Sequence, residues 1–254
     1  MKKTGMYVWI WIVCFMASGF VSPLERDVLS LIKPSPVIAT INCEAVLYRD
    51  HDETAGRTGV IHAGTKIEIL QDRSAKWYRV REVDDDASVS VWIKREVLDI
   101  PPDTEPNPDR MTVHELEEYA RLVRFESETD YYVLTDIDRQ LIHVYHRNGP
   151  GAPWKLAKTM VCSTGKNESP TTRGRFVIGE RGEWFYSERL GSGSMYWVRF
   201  NGSYLFHSVA MDKYRNIMDE VIGDRRSMGC VRLMLDDAKW FYENVPDHSG
   251  VYIT

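Results

Sequence analysis

Two short stretches carry side chains that can do chemistry together. In SMGCVRL, Ser227–Leu233, a cysteine stands between a glycine and a Val-Arg-Leu run, and in FHS, Phe206–Ser208, a histidine precedes it by some twenty residues. A cysteine so placed is a packed core thiol, a disulfide half, a metal ligand or a nucleophile. The nucleophile reading sets physical demands. A thiol near its ordinary pKa is mostly protonated at neutral pH, so attack on an amide needs a base or a stabilised thiolate. A histidine within hydrogen-bond reach supplies the base, and a group on its other ring nitrogen fixes the tautomer. Gly229 lets the backbone turn tightly before Cys230. The amides of Met228, Gly229 and Cys230 then become candidate oxyanion donors.

The rest of the chain narrows these options. Its 254 residues suffice for one large domain or two smaller ones. A net charge of −5 and the lack of a basic stripe argue against nucleic acid as a partner. Apart from Cys14, the cysteines are Cys43, Cys162 and Cys230, an odd number that leaves at least one thiol unpaired within the chain. No CxxC pair and no histidine pair at i, i+4 suggests zinc, so neither a metal nor a cofactor is assigned. Cys162 reads as a packed strand thiol.

Residues 1–24 read as a targeting segment. Lys2 and Lys3 precede an uncharged run over residues 5–24, and Ala17-Ser18-Gly19 offers small residues for cleavage. The run is also long enough to stay as a membrane anchor. Either outcome places the remainder outside the cytoplasm, in the periplasm or cell wall.

The elements that must position the reactive pair follow. From 36 to 100 the chain reads as short strands with turns, predicting a small β-barrel. The order GTKIEIL, WYRV, VWIKREVL resembles a bacterial SH3-like domain, with Trp77, Tyr78 and Trp92 expected in its core. Residues 101–126 form a proline-rich linker, PPDTEPNPD, and a spacer helix opened by the capping box Thr112-x-x-Glu115. Leu116, Tyr119, Ala120 and Val123 fall at helical spacing, and the helix is expected to pack between the domains. The linker implies that the first domain folds independently and contributes localisation; the alternative is that the barrel packs over the active site and shapes the substrate groove. From 129 to 254 the pattern is again β-rich, with Asp236 capping a helix over DDAKWFYENV before a last strand, GVYIT. The fold class is mainly β, a small N-terminal barrel plus a larger β-rich domain with one or two short helices.

Three stretches of this second domain are informative in order: CSTGKNESPTTRGRFVIG from Cys162, then FHS, then SMGCVRL. Together with the closing helix they resemble the L,D-transpeptidase catalytic domain (YkuD-type) over residues 129–254. The resemblance implies that Cys230 is the acyl-accepting nucleophile, His207 its general base, and Ser208 the residue whose backbone or hydroxyl orients the imidazole. It places Ser227 and Arg232 on the substrate side. Arg232 either holds a carboxylate of the peptide or supports the loop through carbonyls. The implied partners are peptidoglycan stem peptides, a donor tetrapeptide and an acceptor, with carbapenem β-lactams as inhibitors. The implied reaction is a cross-link between third residues of two stems; an L,D-carboxypeptidase and an inactive wall-binding module are the alternatives. Two departures stand out: Met228 occupies a position often held by histidine, and the loop between His207 and Cys230 is long. The stretch Glu180–Val198 reads as a lid or as a plain hairpin.

Overall fold

The computed structural model describes residues 23–83 and 89–254, so nearly all of the targeting segment lies outside the described residues. The chain begins with α1 (Pro23–Leu31), then β1 (Val37–Ile41), β2 (Ala45–Tyr48), β3 (Arg57–Ile61), β4 (Lys66–Arg73), β5 (Trp77–Glu82), β6 (Val91–Lys94) and β7 (Leu98–Asp99). After the proline-rich stretch come α2 (Val113–Val123), β8 (Tyr131–Asp136), β9 (Leu141–His146), β10 (Lys155–Ser163) and β11 (Gly174–Val177). The chain closes with β12 (Arg181–Ser187), β13 (Ser192–Asn201), β14 (Tyr204–Ser208), β15 (Val231–Leu233), α3 (Leu235–Asn244) and β16 (Gly250–Ile253). The protein is mainly β, as its sequence predicts.

The first seven strands form one sheet in the order β3-β2-β6-β5-β4-β1-β7, and every pair is antiparallel. Side chains alternate across a strand, so Tyr78 and Val80 of β5 enter the core with Ala39, Ile67 and Ile93. The same alternation turns Trp77 outward. It lies half-buried, edge-on to Tyr48, and Trp92 rests half-buried against His51. Of the three aromatics expected in the core, only Tyr78 is there.

The other nine strands form a second sheet, β11-β16-β8-β9-β10-β15-β14-β13-β12. Two neighbouring pairs are parallel, β16 with β8 and β14 with β15. Both faces are covered, which explains why β8 is buried at five consecutive positions. Tyr132 and Leu134 pack beneath α2 with Tyr145 and Trp154, while Val133 points the other way, into a core with Phe206 and Phe241. Full burial of one such aromatic contributes about 1.5–3 kcal/mol.

α2 starts where the capping box predicts. The Thr112 hydroxyl accepts the Glu115 amide, and the Glu115 carboxylate accepts the Thr112 amide. Its position differs from a spacer between domains. Leu116, Tyr119 and Ala120 seat it on the nine-stranded sheet, where α1 joins it. The cap of α3 lies two residues earlier than expected, at Met234. Asp236 and Asp237 lie in the first turn instead, where their charge suits the helix dipole.

The stretch between β7 and α2 has no regular structure, yet it is pinned. Asn167 donates to the carbonyls of Pro101 and Pro102, the Asp103 carboxylate accepts the Asn167 amide, and Asn107 bonds Asp138. It is not a free tether.

Candidate active site

Parallel pairing of β14 and β15 creates the site. The register sets Phe206 against Val231 and His207 against Arg232. Strand side chains alternate, so His207 and Arg232 share a face, and Cys230, two residues before Arg232, projects to that same side. All three line one cleft of about 510 Å³.

A local device shapes the nucleophile turn. Gly229 adopts φ +101, and a Cβ there would lie 2.5 Å from the Tyr204 ring, so both conformation and space demand glycine. The Ser227 hydroxyl accepts the Gly229 amide at 3.1 Å and donates to the Cys230 carbonyl. Ser227 is therefore a staple within the turn, and it also lines the cleft. The Gly229 amide is engaged too, which leaves the Met228 and Cys230 amides as the oxyanion candidates. Met228 is exposed at the cleft edge.

The turn rests on the Cys162–Gly174 stretch. Thr164 accepts the amides of Arg226 and Ser227 on its carbonyl, and Lys166 donates to the Ser227 carbonyl. Gln140 brackets Thr164, donating to its hydroxyl and accepting its amide, and Thr171 accepts the Gly165 amide. These buried partners were not singled out from sequence, although Thr164 and Thr171 lie in the quoted Ser-Thr-Gly and Pro-Thr-Thr-Arg-Gly runs.

His207 is almost wholly buried, with the Phe185 ring edge-on at 5.7 Å. Its Nδ1 lies 2.6 Å from the Ser208 carbonyl. A carbonyl only accepts, so Nδ1 carries the proton and Nε2 keeps its lone pair. Burial, with the Ser208 bond opposing it and the charge of Arg232 assisting, lowers the imidazole pKa to about 4. The ring is neutral at pH 7, the state a base requires. Ser208 thus orients it through its backbone; its hydroxyl instead accepts the Met195 amide and donates to Val209, tying β14 to β13.

Cys230 is half-buried, and its thiol donates to the Ser203 carbonyl at 3.7 Å. Burial raises its pKa, opposed by the Leu205 amide and by the positive charges of Arg232 and Arg199. The resting pair is therefore neutral thiol and neutral imidazole, and proton transfer accompanies attack. Cys162, one strand away, is fully buried, and only burial and the Asp136 carboxylate act on it, both raising its pKa. Arg232 has no hydrogen bond or ion pair among the described residues, so its guanidinium is available to a ligand, and no loop carbonyl takes it.

The long loop after β14 folds on itself. Asp212 accepts the amides of Tyr214 and Asn216, and Arg226 pairs with Asp219 and Asp224. The Glu180–Val198 stretch is a regular hairpin of β12 and β13. Phe185, Arg189 and Leu190 from it wall the cleft. The opposite wall comes from the N-terminal sheet: Asp72, Arg73 and Ser74, at the end of β4, also line the cleft. Ser169 donates to Asp72 at 2.6 Å, and Arg95 grips Glu168 with two bonds of 2.8 and 2.6 Å.

Residues 130–253 match the family model of the L,D-transpeptidase catalytic domain, YkuD. Over these residues the chain is similar to L,D-transpeptidase catalytic domains. The Bacillus subtilis protein YciB, which carries an L,D-transpeptidase name, is 43% identical over 105 residues, 38% of this chain. That match spans 54% of YciB, about half its length. A solved structure from Clostridium acetobutylicum, a fused Zn-dependent amidase/peptidase/peptidoglycan-binding domain-containing protein, is 28% identical with a TM-score of 0.48. The alignment covers 59% of this chain and 65% of that one. An L,D-transpeptidase from Stackebrandtia nassauensis aligns at 21% identity and TM-score 0.40, over 56% of this chain and 64% of its own.

Proposed function

We propose that the protein is an L,D-transpeptidase that cross-links peptidoglycan stem peptides outside the cytoplasm through a cysteinyl thioester. The observation that carries this reading is the pairing of β14 with β15, which turns Cys230 and a neutral, tautomer-fixed His207 into one cleft. His207 Nε2 takes the Cys230 proton as sulfur attacks the carbonyl of the third, diamino-acid residue of a donor tetrapeptide. The tetrahedral oxyanion falls to the Met228 and Cys230 amides. His207 then protonates the departing amine, and terminal D-alanine leaves. An acceptor amine attacks the thioester, losing a proton to His207, and the thiol is regenerated. Arg232, unpartnered beside the nucleophile, is suited to a stem carboxylate.

The N-terminal sheet, whose sequence stretches prompted the SH3-like resemblance, serves in this reading as a wall of the cleft through Asp72–Ser74. Incubation with purified disaccharide tetrapeptide, read by mass spectrometry, tests the reaction. A cross-linked dimer with loss of D-alanine is expected. A tripeptide product alone would make the protein an L,D-carboxypeptidase, and unchanged substrate would make it an inactive wall-binding module.

A further inference from the structure

A second cavity, of about 480 Å³, opens between the N-terminal sheet and the catalytic domain and shares no lining residue with the cleft. Four arginines line it. Arg79 and Arg81 lie two apart on β5 and so share a face, Arg173 precedes β11, and Arg225 belongs to the loop leading to Cys230. The acidic side chain in this lining is Glu68, buried, with one carboxylate oxygen taken by Arg81 and the other by Arg173. Among the described side chains of the lining, positive charges therefore exceed negative by three.

Arg225 is the telling member. It is only 8% exposed, yet its partner is the neutral hydroxyl of Ser35, at 2.6 Å. Among the described residues no carboxylate comes within ion-pairing distance of it. Burying a charge is costly, and burial lowers the Arg225 pKa, while the carboxylates of Asp103 and Asp138, beyond ion-pairing distance, oppose that shift. Arg79 also gives its Nε to a hydroxyl, that of Ser90, and has no acidic partner among the described residues. Two guanidiniums, one from each side of the junction, thus line the cavity with no carboxylate in ion-pairing distance among the described residues.

We propose that this cavity binds a phosphate group, held by Arg79 and Arg225 and supported by Arg81 and Arg173. A phosphate matches the site better than a carboxylate because it brings up to two negative charges and more acceptor oxygens for guanidinium forks. Bound there, it bridges the two sheets. It also braces the Pro170–Gly174 segment, whose Pro170 carbonyl lies 3.5 Å from where a Gly229 Cβ would be. The phosphate comes either as the free ion or as an ester of a larger molecule.

Isothermal titration of the full chain with inorganic phosphate, and separately with a glycerol phosphodiester at matched ionic strength, tests this. Saturable binding of at least one of them is expected. Arg225→Gln and Arg79→Gln should each weaken it about tenfold or more, whereas Arg57→Gln, on an exposed strand away from the cavity, should not. Arg79 is exposed, so its substitution reports binding even if Arg225→Gln fails to fold. Tighter binding of the diester marks an ester-borne group, and tighter binding of the free ion marks inorganic phosphate. No saturable binding, or binding indifferent to Arg79→Gln, overturns the proposal.

Discussion

The two sheets are built alike, from alternating strands around an apolar interior, but they differ in the polar groups they bury. Among described residues 37–100, Glu68 is the one buried polar side chain, whereas seventeen lie beyond residue 129. A buried polar group left without a partner costs about 1–3 kcal/mol. Many of these groups are satisfied, by pairs such as Gln140 with Thr164 and His207 with Ser208, while the Thr135 hydroxyl and His143 Nε2 are buried without a hydrogen-bond partner among the described residues. The C-terminal interior is thus a lattice that fixes atoms in place. The N-terminal sheet is a plain apolar body whose single buried charge faces the junction. Chemistry resides where polarity is buried, and the simpler sheet contributes shape.

The largest expected effect separates the two thiols of the C-terminal sheet. Cys230→Ala abolishes turnover and covalent capture of a carbapenem, while Cys162→Ala keeps both, at some cost in thermal stability for the small cavity it leaves. Peptide mass spectrometry locates the adduct; finding it on Cys162 would reverse the assignment.

Next comes the base. His207→Ala should slow acylation by about 10²–10⁴ at neutral pH. Raising the pH should restore part of the rate, since hydroxide then supplies thiolate from a thiol whose pKa burial has raised. Stopped-flow acylation from pH 6 to 10 measures both, and an unaltered rate at neutral pH removes His207 from the mechanism.

A third test bears on the comparison itself. A chain shortened to begin at Arg110 loses the Asp72–Ser74 wall, so activity on small soluble muropeptides should fall by about as much as activity on intact sacculi. Asp72→Ala, which releases the Ser169 bond, should reproduce a smaller part of the loss. Full activity on small substrates, with loss on sacculi alone, would return the N-terminal sheet to a localising role.

The smallest effect is on stability. His143 and His207 are buried, and burial lowers the pKa of each to about 4 from an ordinary 6.5. Between those values the unfolded chain takes up protons that the folded chain refuses. Stability is therefore full above about pH 6.5 and falls as pH drops toward 4, by up to ~1.4 kcal/mol per pH unit for each histidine. Urea midpoints at pH 7, 6 and 5 should decline, and His143→Leu should flatten the decline. The same slope in both proteins would show that His143 does not titrate as its burial requires.

Features encoded locally were legible in the sequence. The Thr112–Glu115 capping box, the helical spacing of Leu116 and Tyr119, and the order of the three motifs all correspond to the observed elements. The motifs also led to Cys230 and His207, which the fold brings to one cleft. Features encoded by distant pairs were not legible. Glu68 meets Arg173 across 105 residues and Arg95 meets Glu168 across 73, so no periodicity announces the junction. For the same reason the Pro101–Asp109 stretch read as a tether, because proline content does not disclose that Asn167 will hold it. Ser227 was placed on the substrate side by analogy alone; it lines the cleft, and its hydroxyl also staples the Gly229 turn.

The parallel alignment of β14 and β15 also has a kinetic consequence. Antiparallel neighbours can zip from a tight turn, but a parallel pair must first close the long excursion that joins its strands. That closure is a non-local event, of the kind that slows folding. Before it happens the chain carries an ordinary histidine and an ordinary thiol with no relation to each other. A nascent or partly unfolded molecule therefore lacks the Cys230–His207 arrangement on which the proposed reaction depends, and that arrangement is complete only once β14 and β15 have paired.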